Sequence, residues 1–395
     1  MAQGISIPRT AAPLPRRRAA ARSGRSPGLS FAARSWNRYT DENRIRQWDD
    51  LARWAATPNP FYESWYLLPS LRQLDPRGEV ELLVLRADGK LAGLMPVLRA
   101  RDYYGHRLPH LANWTHPNCF LGQPLVAPGF EAMFWQETLA WADRNAGTGL
   151  FFHLSHMPMD GPLHRTLAEA CADTRAAATV MREERAALRP APGTDPETYL
   201  AQALSTKKRK ELRRQHRRLE ELGDMQVERR SDALGVDRWA REFLRLEAGG
   251  WKGEAGSALA SDDANARLFI EALKGAAQRG RLERLALRLG KRPIAMLVNF
   301  LTAPGACSYK TAFDEDYARF SPGVLLQIDN LAMLGNPAID WVDSCAVEGH
   351  PMIDHLWRER RAIGRHSIGI GGTVRQAIFK AIAKRETGAP PGGIA

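Results

Sequence analysis

Two stretches of this chain, about 200 residues apart, follow one plan. VLRADGKLAGLMPVL begins at Val84 and ALRLGKRPIAMLVNFL begins at Ala286. Each reads as a strand, a tight turn (Asp88-Gly89 or Gly290-Lys291) and a return strand. In each case a further strand and a helix follow, which favours duplication of one α/β unit. A chain of 395 residues has room for it, since one domain takes roughly 100–200 residues.

In the first half Trp48, Leu51 and Trp54 recur at helical spacing, and Pro58-Asn59-Pro60 ends that helix. Strands over 80–86 and 91–98 lead into loop-rich sequence over 103–128. A helix over 131–144, a strand over 150–154 and a helix over 163–171 complete that half. Residues 190–196 read as a linker. Residues 205–222 read as a helix capped by Ser205 and stopped by Gly223. The second half repeats the hairpin over 282–289 and 293–301, with a strand over 306–313 and a loop over 314–320. The expected organisation is a disordered basic arm (1–38), a first half (39–189), linker and basic helix (190–223), a second half (224–372), and an amphipathic helix with a tail (373–395).

Charge is placed unevenly. The formal net charge is +12. Arg9, Arg16, Arg17, Arg18, Arg22, Arg25, Arg34 and Arg38 all precede the first acidic residue, Asp41. Lys207, Lys208, Arg209, Lys210, Arg213, Arg214, Arg217 and Arg218 are opposed only by Glu211. Such clusters are either solvated surface or seats for a polyanion: cofactor phosphates, anionic lipid or nucleic acid. Near the C-terminus Val374, Ala377, Ile378, Ala381 and Ile382 form a helical stripe among Arg375, Lys380, Lys384 and Arg385. That pattern suits docking on the body of the protein, or an anionic membrane surface.

Several classes are excluded. The 44% apolar content fits a globular chain, and no apolar run reaches the roughly 18–20 residues of a membrane span. Cys119, Cys171, Cys307 and Cys345 form no C-x-x-C pair, so no zinc or redox motif is present and no metal is expected. They read as buried or incidental thiols in a reducing cytoplasm. No serine-hydrolase, zincin or P-loop pattern occurs. The expected location is the cytoplasm, with the basic segments adding attachment to the inner face of a membrane.

The stretch over 306–334 carries the most chemistry. After the strand ACSYKTAF and the loop DEDYARF, Ser321 at the N-cap and Pro322 at the first helical position open an apolar helix. A loop holding Arg319 and a helix opening on Gly323 form an anion site, or an ordinary capped junction. This segment resembles the acyl-CoA site of the GNAT superfamily, more narrowly that of the BioF2-like acetyltransferases related to tandem-GNAT Fem peptidyltransferases. Three segments carry the likeness: LSTKKRKELRRQHRRLEELG from Leu204, LEAGGWKGEAGSAL from Leu246 and YKTAFDEDYARFSPGVLL from Tyr309. The phosphate loop departs from the usual GNAT pattern, Arg/Gln-x-x-Gly-x-Gly/Ala, by reading Arg319-Phe320-Ser321-Pro322-Gly323.

The resemblance implies an α/β (α+β) fold of two GNAT-like halves, each a mixed, mostly antiparallel sheet flanked by helices. It implies acyl-CoA as co-substrate, held by Tyr309, Lys310, Arg319, Ser321, Gly323 and Val324. A backbone N–H over 308–311 would polarise the acyl carbonyl. A carboxylate or histidine would take the amine's proton, the candidates being Glu247, Asp343 and His350 ahead of Asp314 and Glu348. Trp251, Lys252 and Asp314 are candidate substrate contacts. Glu247 and Trp251 would share a face if their helix continued through Gly249-Gly250. The expected acceptor is an amine, in one version a lipid or sphingoid-type amine at a membrane. A Fem-like aminoacyl-tRNA ligase and a non-catalytic membrane or nucleic-acid binder stay open.

Overall fold

The computed structural model describes residues 28–172 and 174–394. The arginines from Arg9 to Arg25 lie outside them. The first half runs β1 (Leu29–Ser35), α1 (Glu42–Trp54), α2 (Ser64–Leu74), β2 (Glu81–Ala87), β3 (Lys90–Ala100), β4 (His110–Asn113), β5 (Leu125–Val126), α3 (Glu131–Asn145), β6 (Phe151–Pro158), α4 (Gly161–Cys171) and β7 (Ala177–Leu188). Two connecting helices follow, α5 (Pro196–Ala203) and α6 (Thr206–Glu220). The second half runs β8 (Met225–Arg230), α7 (Val236–Ala248), α8 (Trp251–Glu254), α9 (Asp263–Gln278), β9 (Leu282–Leu289), β10 (Arg292–Thr302), β11 (Gly305–Phe313), α10 (Pro322–Asn330), β12 (Trp341–Asp343), β13 (Glu359–Gly369) and α11 (Thr373–Thr387).

The strands form one mixed sheet in the order β1-β2-β3-β4-β6-β13-β7-β12-β11-β10-β9-β8, with β5 beside β3. Read from either end, the plan is the same. An antiparallel run of four strands is followed by a parallel pair, β4 with β6 or β11 with β12. At the centre the halves trade their last strands. β13 lies between β6 and β7, and β7 lies between β13 and β12. Instead of two separate sheets there is therefore one, and the duplication is visible as a palindrome of strand order.

The hairpin turns form as their residues dictate. Asp88 and Gly89 have φ of 49° and 75°, the left-handed pair that a two-residue turn between twisted strands requires. The basic arm expected through residue 38 ends earlier, because Leu29–Ser35 pairs along its whole length with β2. As an edge strand it buries little beyond Phe31, which meets Phe134 edge-on at 6.1 Å, so its sequence shows no strong apolar period.

One apolar core crosses from half to half on one face of the sheet, under α1–α4, α7 and α9. A second core lies beneath α5, α6 and α10. α2 and α9 approach closely because residue 275 is glycine; a Cβ there would stand 2.8 Å from that of Trp65. α6 is capped by Ser205, whose hydroxyl accepts the Lys208 N–H at 3.2 Å. It buries only Leu212 and Leu219 and turns its cations outward. α11 docks on the body, through Phe379 and Ala383 with Ile382 beside them. The expected stripe is not the docked one: Val374, 72% exposed, and Ile378 face away from the sheet. All four cysteines are buried and free. Among the described residues no helix is long and apolar enough to cross a membrane.

Candidate active site

β11 and β12 run side by side for only three pairs, Gly305↔Trp341, Ala306↔Val342 and Cys307↔Asp343. β12 then ends, and at Cys345 the backbone takes φ 55°. β11 continues to Phe313 with β10 on its other side alone. The pair therefore opens into a wedge along 308–313. Glycine at 305 makes the pairing possible, since a Cβ there would reach 2.2 Å from the Trp341 ring.

The loop below the wedge is tightly built. Asp314 accepts the Asp316 N–H at 3.2 Å and pairs with Arg292 at 2.6 Å, so its carboxylate serves this turn. Ser321 does stand at the N-cap, but in the left-handed region (φ 53°) and with no capping bond from its hydroxyl. Its carbonyl instead accepts the N–H groups of Val324 (2.9 Å) and Leu325 (3.0 Å). Arg319 is exposed, its guanidinium 4.7 Å above the Phe320 ring. Gly323 does not open a gap for a phosphate on its Cα side: a Cβ would meet Met352 Cε at 2.9 Å and Phe313 at 3.3 Å.

Glu247, Lys252, Tyr309, Lys310 and His350 come together. Glu247 ends the buried stripe of α7, which runs through Trp239, Ala240, Phe243 and Leu244. Its Oε1 pairs with Lys252 Nζ at 3.0 Å, and its Oε2 accepts the Leu259 N–H at 2.8 Å. The helix stops at Ala248, and α8 starts anew at Trp251. Trp251 is thus 56% exposed and shares no face with Glu247. Burial pulls the Lys310 ammonium down to about 8, with the Glu247 carboxylate opposing that pull and Lys252 adding to it. Burial, and then Lys252, lower the His350 imidazole as well. Tyr309 is buried and stacked on Phe300 at 4.6 Å.

Asp343 occupies a different place. It is 0% exposed, pairs with Arg361 at 3.2 Å and accepts the Cys345 N–H at 2.8 Å. With Arg361 lying 4.2 Å from the Trp341 ring, this pair is a strut behind the wedge.

The first half supplies what reasoning from sequence missed. A cavity of about 520 Å³ lies where the halves meet, lined by Tyr104, His116, His153, His156 and Arg185, and by Cys345–Val347 and Arg365 from the second half. His116 Nε2 and His156 Nδ1 are buried without a hydrogen-bond partner. Burial, followed by Lys310, holds His116 down to about 3. Burial, Arg185 and Arg365 hold His156 down to about 4. Both rings are neutral at physiological pH. Lys310 reaches the same region, with its Nζ 5.8 Å from the Phe120 ring, which also lines the cavity.

Local structure holds these rings in place. His156 has φ 54° inside β6, and its carbonyl accepts the Gly122 N–H at 2.8 Å. Asn113 clasps the same point, donating to the carbonyls of Gly122 (2.9 Å) and Ser155 (3.0 Å). His116 stacks on Tyr66 at 6.0 Å. The available sequence signal was the placing of six of the chain's ten histidines between 106 and 164. Among the described residues no group of three or more His, Cys, Asp or Glu is arranged to hold a metal ion.

A parallel strand pair that opens into a wedge, above a loop and a helix start, matches the arrangement that the GNAT resemblance implied. The sequence agrees: residues 206–346 match the family described as Acetyltransferase (GNAT) domain. The matched segment runs from the start of α6 through β12 and so lies largely in the second half. Among solved structures, FemX aligns with a TM-score of 0.54 at 10% identity, over 86% of this chain and 98% of its own. A conserved protein of unknown function from Bacteroides thetaiotaomicron VPI-5482 aligns at 0.52 and 10% identity, over 82% and 97%. At such identities the likeness is one of fold. No curated protein sequence matches the chain.

Proposed function

We propose that this protein transfers an acyl group from acyl-CoA to an amine. The observation that carries the reading is the wedge between β11 and β12 standing beside a cavity of neutral imidazoles and a lysine near 8. Along 308–313 a backbone N–H is free to polarise the thioester carbonyl. The attacking amine must be neutral and must lose a proton as its C–N bond forms and the C–S bond breaks. Lys310 is the group closest to operating pH and takes that proton in its neutral form; the thiolate leaves and is protonated in turn. Glu247 sets the charge around Lys310, and neutral His116, whose Nδ1 accepts the Asn118 N–H at 3.4 Å and whose Nε2 therefore carries the ring proton, lines the amine's approach without adding charge. Arg319 and the outward cations of α6, whose Gln215 donates to the Arg319 carbonyl at 3.2 Å, suit the donor's phosphates.

The test is thermal stabilisation by acetyl-, medium- and long-chain acyl-CoA, since a ligand that binds only the folded state raises the melting temperature. A shift that weakens in Arg319→Ala is expected, with turnover in Lys310→Met reduced about 100-fold or more while the shift persists. No shift with any acyl-CoA overturns the reading.

One observation favours a second reading, with aminoacyl-tRNA as donor. Lys207, Lys208, Lys210, Arg213, Arg217 and Arg218 are exposed on α6, and such a face suits a nucleic-acid backbone. Binding of tRNA that falls steeply with salt would support it. For the acceptor, the outward stripe of Val374, Ala377, Ile378 and Ala381, bordered by Lys380 and Lys384, suits an amine presented at an anionic membrane.

A further inference from the structure

Arg365 is the odd cation in the cavity wall. Arg185 beside it is paired with Glu183 at 2.9 Å and donates to the Phe120 carbonyl at 2.7 Å. Arg361, two turns of the pleat away on β13, is paired with Asp343. Among the described residues Arg365 has neither a carboxylate nor a hydrogen-bond acceptor; its guanidinium lies 5.1 Å from the Tyr104 ring. It is only partly exposed and stands where β13 shifts register between Arg365 and His366. The acids lining the cavity have other partners: Glu183 pairs with Arg185, and Asp102 accepts the Gly105 N–H at 3.0 Å. A half-buried guanidinium supported on an aromatic face, with its fork unfilled, is a receptor for a planar or tetrahedral anion.

We infer that Arg365 anchors an anionic group of the acceptor, so that the acceptor is an amine also bearing a carboxylate or a phosphate. The inference deepens the acyl-transfer reading and rests on it for the role of the cavity. The anion sits at Arg365 and Tyr104, and the amine points past His156 and His116 towards Lys310. The two imidazoles facing this path are neutral and the Arg185 charge beside them is paired with Glu183, so Lys310 is the next unpaired cation named along it. A soluble amino acid or phosphoamine and the headgroup of an aminophospholipid share this chemistry.

The test is binding to the full chain without any acyl donor. β-Alanine and O-phosphoethanolamine are compared with ethanolamine by calorimetry, and vesicles containing phosphatidylethanolamine with vesicles of phosphatidylcholine by co-sedimentation. The wild type is set beside Arg365→Gln and Arg365→Lys, with melting temperatures confirming that each is folded. At least a tenfold preference for the anion-bearing amine is expected, in solution or on vesicles. It should fall to near parity in Arg365→Gln and be partly kept in Arg365→Lys. Which arm shows the preference identifies the source. A wild type with no preference in either arm overturns the inference, as does a preference that survives Arg365→Gln. Preferential binding with no acyl transfer from acyl-CoA would instead sink the donor assignment and leave the anchor standing.

Discussion

The hydroxyl of Tyr66 stands 3.1 Å from that of Tyr309, joining α2 of the first half to β11 of the second. Tyr66 donates to the Asn118 carbonyl at 2.5 Å, so the proton between the two phenols comes from Tyr309. Burial pushes both phenols well up, and they remain protonated donors. Phe61, Phe120 and Phe300 pack around the pair, each within 6.4 Å of a tyrosine or of one another.

Removing that one hydroxyl is expected to cost little. Tyr309→Phe leaves Tyr66 bonded to Asn118, and the loss should be about 1 kcal/mol. Tyr309→Ala empties the centre of the seam and should cost about 3–5 kcal/mol. Urea denaturation of both variants checks this, and equal losses would show that the rings do not pack as described.

Asp343 and Arg361 should behave as a buried pair rather than as a proton acceptor. Asp343→Asn leaves Arg361 its second partner, Asp160 at 3.6 Å, and should cost less than Arg361→Met. Arg361→Met takes the ion-pair partner from the fully buried Asp343 and should cost about 3–5 kcal/mol. The double substitution should recover most of that loss. Melting curves for the three variants, read as a double-mutant cycle, decide it. An Asp343→Asn protein of wild-type stability that had lost turnover would return Asp343 to catalysis.

Acid should destabilise the protein well above the carboxylate range. His116 and His153 are held to about 3 and His156 to about 4, all by burial first. Between the unfolded value of about 6.5 and these folded values, only the unfolded chain binds the protons. Stability is therefore fully present above about 6.5 and falls as pH drops towards 4, by up to about 1.4 kcal/mol per pH unit for each ring. His153→Gln should make the fall shallower, and urea midpoints measured from pH 7 to pH 4.5 test the slope. An unchanged slope would mean that His153 is not held neutral.

Much of the architecture was legible because local chemistry dictated it. The two hairpins announced themselves through Asp88-Gly89 and Gly290-Lys291, and Ser205 and Pro322 marked helix starts. β7 and β13 were not legible. Their central segments, MREER and ERRAIGR, carry Glu183, Arg185, Arg361 and Arg365, which turn into the cavity or the buried strut instead of following an apolar alternation. The same cause hid half of the site. Glu247, Lys252, Tyr309 and Lys310 come from one contiguous region and could be named from it. Arg365 meets His116 and His156 only because β13 is exchanged into the first half beside β6, and no short-range pattern records that exchange.

The exchange also bears on how the chain is made. β6 and β7 leave the ribosome early, but the strand that fills the gap between them is synthesised about 170 residues later. At roughly 5–20 residues per second that is an interval of about 10–35 s. For most of it the edges of β6 and β7 that later strands cover are unpaired, the kind of surface that chaperones shield and that neighbouring nascent chains on a polysome would otherwise find.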